Sequence, residues 1–215
     1  KENLQRAEME EQIAAYVAQH GMPALKQAVT RGQYTHPDGL FYGGDRPAAS
    51  LLNLRRILTE HAARYAQIGW IDVHTGLGPR GHGEKIYAGR RDEAEVARAR
   101  RWWGADIAVP YLGTSASVDI TGHLAGLIYD ACPASVPTLM ALEFGTLPSE
   151  DVVDALRGRN WLRAHPDADA ARRDAILRAT LDAFYCDAPD WHGAVLGQSR
   201  VAVLQALSGL EGTGA

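Results

Sequence analysis

Of the eight histidines in the sequence, His74 has the most informative neighbours. It ends a mostly apolar run that starts at Trp70, and Thr75-Gly76-Leu77-Gly78-Pro79 follows at once. An apolar run of that length, broken by Gly and Pro, predicts a buried β-strand that stops at His74 and turns. Ligands of open α/β sheets sit just outside the carboxyl ends of strands, which is where this imidazole falls. Glu143 occupies a second such place, late in the apolar run Pro137-Thr138-Leu139-Met140-Ala141-Leu142-Glu143-Phe144, before the turn former Gly145. A carboxylate inside such a run is costly unless it is paired, bound to metal or at an edge. Each residue has two readings. Both are functional groups at strand ends, or His74 is a hydrogen-bonded core histidine and Glu143 points to water from an edge strand.

An imidazole and a carboxylate on neighbouring strands suit metal-assisted hydrolysis. The histidine binds zinc, zinc lowers the pKa of its water towards ~7, and the glutamate takes the proton as general base. A catalytic zinc takes three protein ligands, so His74 alone is insufficient. None of the histidines begins a His-x-x-Glu or His-Glu-x-x-His motif. The compact alternative is His74 with His82 and Glu84 on the loop Arg80-Gly81-His82-Gly83-Glu84. Ser-His-Asp catalysis has no support, because no Gly-x-Ser-x-Gly elbow is present.

The elements that must position these residues alternate between helix and strand. Helices are predicted over Glu2–His20 and about Pro23–Thr30, then from a Ser50 cap to about Gln67. Asp92 opens a helix to about Trp103, with acids in its first turn and a possible Glu95–Arg98 pair. A short helix is expected over Leu124–Tyr129, one from a Ser149 cap through Leu162, and two more over Ala168–Tyr185 and Ala194–Leu207. Ile86-Tyr87 and Ile107–Pro110 read as short strands, and the tail Glu211–Ala215 as frayed. Residues 31–44 form a loop of turn formers and aromatics, either functional or an aromatic-pinned surface feature. With no repeats or linkers, this predicts a single domain over residues 1–215, helical from about 149 to 211. Its fold class is three-layer α/β, a parallel or mixed sheet flanked by helices.

Composition narrows the function classes. A net charge of −4 leaves no basic footprint for nucleic acid. No apolar run approaches the ~20 residues that cross a bilayer, and no signal peptide is recognisable. Two cysteines without a Cys-x-x-Cys pattern fit a reducing, cytoplasmic setting and argue against a sulfur-bound metal. A small-molecule or peptide substrate is the remaining partner class, and the oligomeric state is open.

Three blocks then carry a resemblance: Ile71–Pro79, Gly81-His82-Gly83-Glu84, and Ala141-Leu142-Glu143-Phe144-Gly145-Thr146. With Tyr34–Gly44 they resemble a bacterial family of unknown function, through at least residues 22–148. That family is related to the zinc carboxypeptidases and to the aspartoacylase/succinylglutamate desuccinylase branch of their superfamily. The resemblance implies a carboxypeptidase-like fold, zinc as cofactor, His74 as the last of three zinc ligands and Glu143 as catalytic general base. It implies hydrolysis of an amide or peptide bond. The other two ligands belong to a His-x-x-Glu motif on the N-terminal side, followed by an Asn-Arg substrate clamp, and neither is in this sequence. The chain thus resembles the C-terminal part of such an enzyme, without its first strands. Two positions depart from the pattern: Arg80 stands where Tyr is expected, and Leu51-Leu52 replace a more polar helix start. Arg80, His82 and Glu84 are the candidate substrate-binding residues, with a solvated arginine the alternative for Arg80. A fold kept as a non-catalytic binding or structural module is the alternative to an enzyme.

Overall fold

The computed structural model describes residues 2–212. Three strands form its sheet: β1 (Gln67–Arg80), β2 (Gly83–Tyr87) and β3 (Val136–Gly145), in the order β1-β3-β2. β3 runs parallel to β1 and antiparallel to β2, so the sheet is mixed. The helices are α1 (Glu2–His20), α2 (Met22–Thr30), α3 (Ala49–Ile57), α4 (Glu93–Trp103), α5 (Leu127–Ala131), α6 (Ser149–Ala164), α7 (Ala170–Phe184) and α8 (Pro189–Glu211). Among the described residues no helix is long and apolar enough to cross a membrane. Of the tail expected to fray, residues 213–215 lie outside the described residues.

β3 is the central strand, and its sequence shows why. Leu139, Met140, Leu142 and Phe144 are all buried, the continuous apolar run of a strand covered on both faces. Met140, Leu142 and Phe144 join Trp103 of α4 and Trp191, Ala202 and Ala206 of α8 in one cluster. Leu139 joins Leu58, Leu127 and Ile128, with Ile68 and Trp70 of β1 packed against them. The sheet therefore separates a layer of α4 and α8 from a layer of α3 and α5, the predicted three-layer plan. A smaller cluster of Val152, Ala155 and Ala183 holds α6 against α7. Two threonines, Thr75 within β1 and Thr146 just past β3, fasten that helix pair through α7: Thr75 Oγ1 donates to Phe184 O at 2.7 Å, and Thr146 Oγ1 to Ala183 O at 2.6 Å.

Several local expectations change. β1 does not stop at His74. Its parallel pairing with β3 ends at Thr75↔Phe144 and resumes at Arg80↔Gly145, with a register shift between. Gly76 (φ 116°) and Gly78 (φ 93°) absorb the extra residues in a conformation that side chains oppose, so the Gly-rich stretch is a bulge and the turn comes after Arg80. At Gly145 the strands approach so closely that a Cβ would sit 2.1 Å from the Pro79 carbonyl oxygen. Neither predicted serine cap forms: Ala48 and Pro148 hold those positions, and Ser50 and Ser149 lie inside their helices without a capping bond. α3 gives way to a π turn over Leu58–Ala62 and stops well short of Gln67, where β1 already begins. Asp92 does cap α4, accepting from the Glu95 N–H. Ile107–Pro110 is not a strand, only a bridge from Ala108 to Ile86. The aromatic loop is pinned to α6, where Asn160 Nδ2 donates to Asp38 O at 3.0 Å and Arg163 Nη2 to Pro37 O at 2.7 Å.

Candidate functional site

Side chains alternate along a strand, so one face of the sheet can be read directly from the register. On the α3–α5 face β1 presents Ile68, Trp70, Asp72 and His74, and β3 presents Leu139, Ala141 and Glu143. Each strand is apolar where the helices cover it and acidic or basic where they end. A cavity of about 690 Å³ opens there, with Asp72, His74, Ala141 and Glu143 on its floor. Its walls come from residues 86–91 and from the loop and first turn over residues 117–126.

His74 and Glu143 are register partners across the parallel pair, so the two predicted site residues are brought together. The edge-strand reading of Glu143 is overturned, because β3 has a neighbour on both sides. Burial pushes the Glu143 carboxyl up to about 6, with Glu84 and Asp72 adding to the rise. His74 and the backbone N–H of Leu77 act in the opposite direction. His74 is not a core histidine either. Its side chain is 50% exposed and its Nε2 lies 3.0 Å from Asp72 Oδ2. Asp72, two residues earlier on the same face, orients the ring and leaves Nδ1 as the nitrogen free to serve another group.

The remaining candidates fall elsewhere. Arg80 Nη1 and Nη2 donate to Asp190 of α8 at 2.6 and 3.1 Å, a bidentate pair at the surface. That pairing holds the Asp190 carboxyl down to about 2 and raises the arginine's own pKa. His82 is exposed in the β1–β2 turn, where its charge acts on Asp106 rather than on the cavity. Glu84 faces Glu143 across the antiparallel pair, but its carboxylate accepts the Ala116 N–H at 3.0 Å. His74, His82 and Glu84 therefore do not form a site of their own. β3 stands between their strands, and two strand spacings amount to about 10 Å. Among the described residues no group of three or more His, Cys, Asp or Glu side chains is placed to hold a metal ion.

Other residues around the cavity lacked a distinguishing sequence signal. His123 lines it with Nδ1 buried and unpartnered, and burial lowers its pKa against the pull of Asp119 and Asp72. Glu95 does not pair with Arg98, which instead donates to Thr138 Oγ1 at 2.9 Å and Pro137 O at 2.7 Å. Glu95 Oε2 accepts from Tyr129 OH at 2.5 Å, Tyr87 OH at 3.1 Å and the Arg90 N–H at 3.3 Å. Desolvation and that carboxylate raise both phenol pKa values, so both hydroxyls stay protonated donors. Only Asp72 had a readable cue, since Asp-x-His on a strand places both side chains on one face.

No curated protein and no solved structure matches the chain. A family model does match, over residues 1–198, and its description carries no activity, metal or link to the carboxypeptidases. That span takes in all three strands, the cavity and every candidate site residue, and the chain belongs to the family described as Protein of unknown function (DUF2817).

Proposed function

We propose that the cavity is the site of a zinc-dependent, carboxypeptidase-like hydrolase of amide or peptide bonds, with Glu143 as general base and His74 as one metal ligand. The carrying observation is a half-buried carboxyl raised to about 6 on the central strand, directly beside an Asp72-oriented imidazole. At neutral pH such a carboxyl is ionised enough to take a proton from water and basic enough to keep it for delivery to a leaving amine. With Nε2 held by Asp72, Nδ1 is the His74 nitrogen that would face a metal. The described residues do not by themselves complete a zinc site, so no step is assigned to the metal. β1 is an edge strand, and His74 is exposed on it.

The substrate we propose is a small molecule or peptide, and the cysteines, both free, fit the cytoplasm. A non-catalytic module that keeps the fold is the second reading, favoured by that incomplete donor set. Zinc stoichiometry and release of amine from N-acyl amino acids and short peptides test the two. Hydrolysis that needs zinc and disappears in both Glu143→Gln and His74→Ala supports the enzyme. Undiminished activity in Glu143→Gln rules out its role as base, and no zinc and no turnover leaves the module.

A further inference from the structure

Arg90 lies on the wall of the cavity, in the connection between β2 and α4. Its main chain is held by three bonds. The N–H donates to Glu95 Oε2 at 3.3 Å and to Tyr129 OH at 3.1 Å, and the carbonyl accepts from Tyr87 OH at 2.7 Å. Its guanidinium carbon sits 3.8 Å from the centroid of the Tyr129 ring. That ring is itself fixed, because its hydroxyl donates to Glu95. An exposed arginine of this kind ordinarily keeps its rotamer freedom, yet here backbone and side chain are both anchored.

Stacking uses the face of the guanidinium and leaves its N–H groups pointing outward in the plane, the geometry that grips a carboxylate or phosphate with two parallel bonds. Among the described residues no carboxylate pairs with Arg90, whereas the neighbouring Arg91 is taken by Asp119. On the floor, the Asp72 carboxylate is engaged by His74. Arg90 is thus a guanidinium without a carboxylate partner, on a cavity wall that also carries the apolar side chains of Ile86, Tyr111, Ile120 and Leu124.

We propose that Arg90, stacked on Tyr129, is an anion-binding subsite that takes the carboxylate or phosphate of a ligand whose apolar body packs against Ile86, Tyr111, Ile120 and Leu124. The subsite goes beyond the hydrolase reading and stands whether or not the cavity cleaves anything.

Calorimetric titration of the chain, without added zinc, with benzoate, phenyl phosphate and neutral benzamide tests it. At least one anion should bind about tenfold or more tightly than benzamide, the margin a charge-assisted bond gives. Tighter benzoate assigns a carboxylate ligand, and tighter phenyl phosphate assigns a phosphate. Arg90→Gln should abolish the preference, and Arg90→Lys, which keeps the charge but loses the fork, should retain part of it, each with unchanged thermal unfolding. If Arg90→Gln fails to fold, Arg90→Lys decides: an undiminished preference there overturns the subsite. Equal binding of benzamide and both anions, a preference that survives Arg90→Gln, or no binding of any probe at millimolar concentration also overturns it. None of these readouts needs turnover, so a failed subsite and a failed hydrolase are told apart.

Discussion

Replacing Glu143 by Gln asks whether burial really strains this carboxyl. Its pKa rises from an ordinary 4.5 to about 6 in the fold, so the folded protein holds the proton more tightly than the unfolded chain. Below pH 4.5 the group is protonated in both states and costs nothing extra. Between 4.5 and about 6 the unfolded chain loses its proton first and stability falls, and above about 6 the whole penalty is present. The difference corresponds to about 2 kcal/mol. Gln keeps the shape and can still accept the Leu77 N–H, but carries no charge to desolvate. Glu143→Gln is therefore expected to be more stable than the native protein by up to about 2 kcal/mol at pH 8, and to lose that advantage by pH 4.5. Urea unfolding of both proteins at half-unit steps from pH 4.5 to 8 measures it, because titrating groups that do not interact with Glu143 cancel in the difference. A variant less stable at pH 8, or a difference that does not change with pH, would refute the desolvation argument. A carbon-13 titration of the Glu143 carboxyl that turns over below pH 5 would refute it more directly.

Three further outcomes follow from other contacts. Asp72→Asn should lower any hydrolytic rate by about 10- to 100-fold while leaving the fold intact, because His74 loses the partner that orients it; unchanged kcat and zinc affinity would remove Asp72 from the site. Gly145→Ala puts a Cβ 2.1 Å from the Pro79 oxygen and should destabilise the protein by at least about 3 kcal/mol, read from thermal unfolding; a native-like Tm would mean the two strand ends can separate freely. Arg80→Gln breaks the surface pair with Asp190 without touching the cavity, so turnover and ligand affinity should stay unchanged; since Asp190 is held down to about 2, the small contribution of that pair is present above the usual 3.8 and fades as pH falls towards 2. A large loss of activity in Arg80→Gln would return Arg80 to the substrate.

What the sequence discloses about this fold and site depends on whether the deciding interaction is local. The apolar run through β3 and the helix that opens at Asp92 are local, and both form, with Asp92 itself as the cap just outside α4. The Ser50 and Ser149 caps fail although each looks right, because the chain enters α3 two residues and α6 one residue earlier, which leaves both serines inside their helices without a capping bond. The extension of β1 past His74 is not local at all. Gly76 and Gly78 signal a break, but the pairing resumes at Arg80 only because Gly145 on another strand lets the two backbones meet. Arg80, His82 and Glu84 are close to His74 in sequence, and the insertion of β3 between β1 and β2 is what separates them from it.

The same strand order explains why His74 and Glu143, far apart in sequence, lie side by side while pairs closer in sequence do not. In a sheet ordered β1-β2-β3 the glutamate would sit two strands from the histidine and at an edge, in water, with an ordinary pKa. Placing β3 in the middle does two things at once. It buries Glu143 enough to raise its carboxyl, and it sets His74 one strand away in register. The perturbed carboxyl and the imidazole beside it are therefore one consequence of topology, and both depend on β3 being apolar enough on each face to be covered by helices.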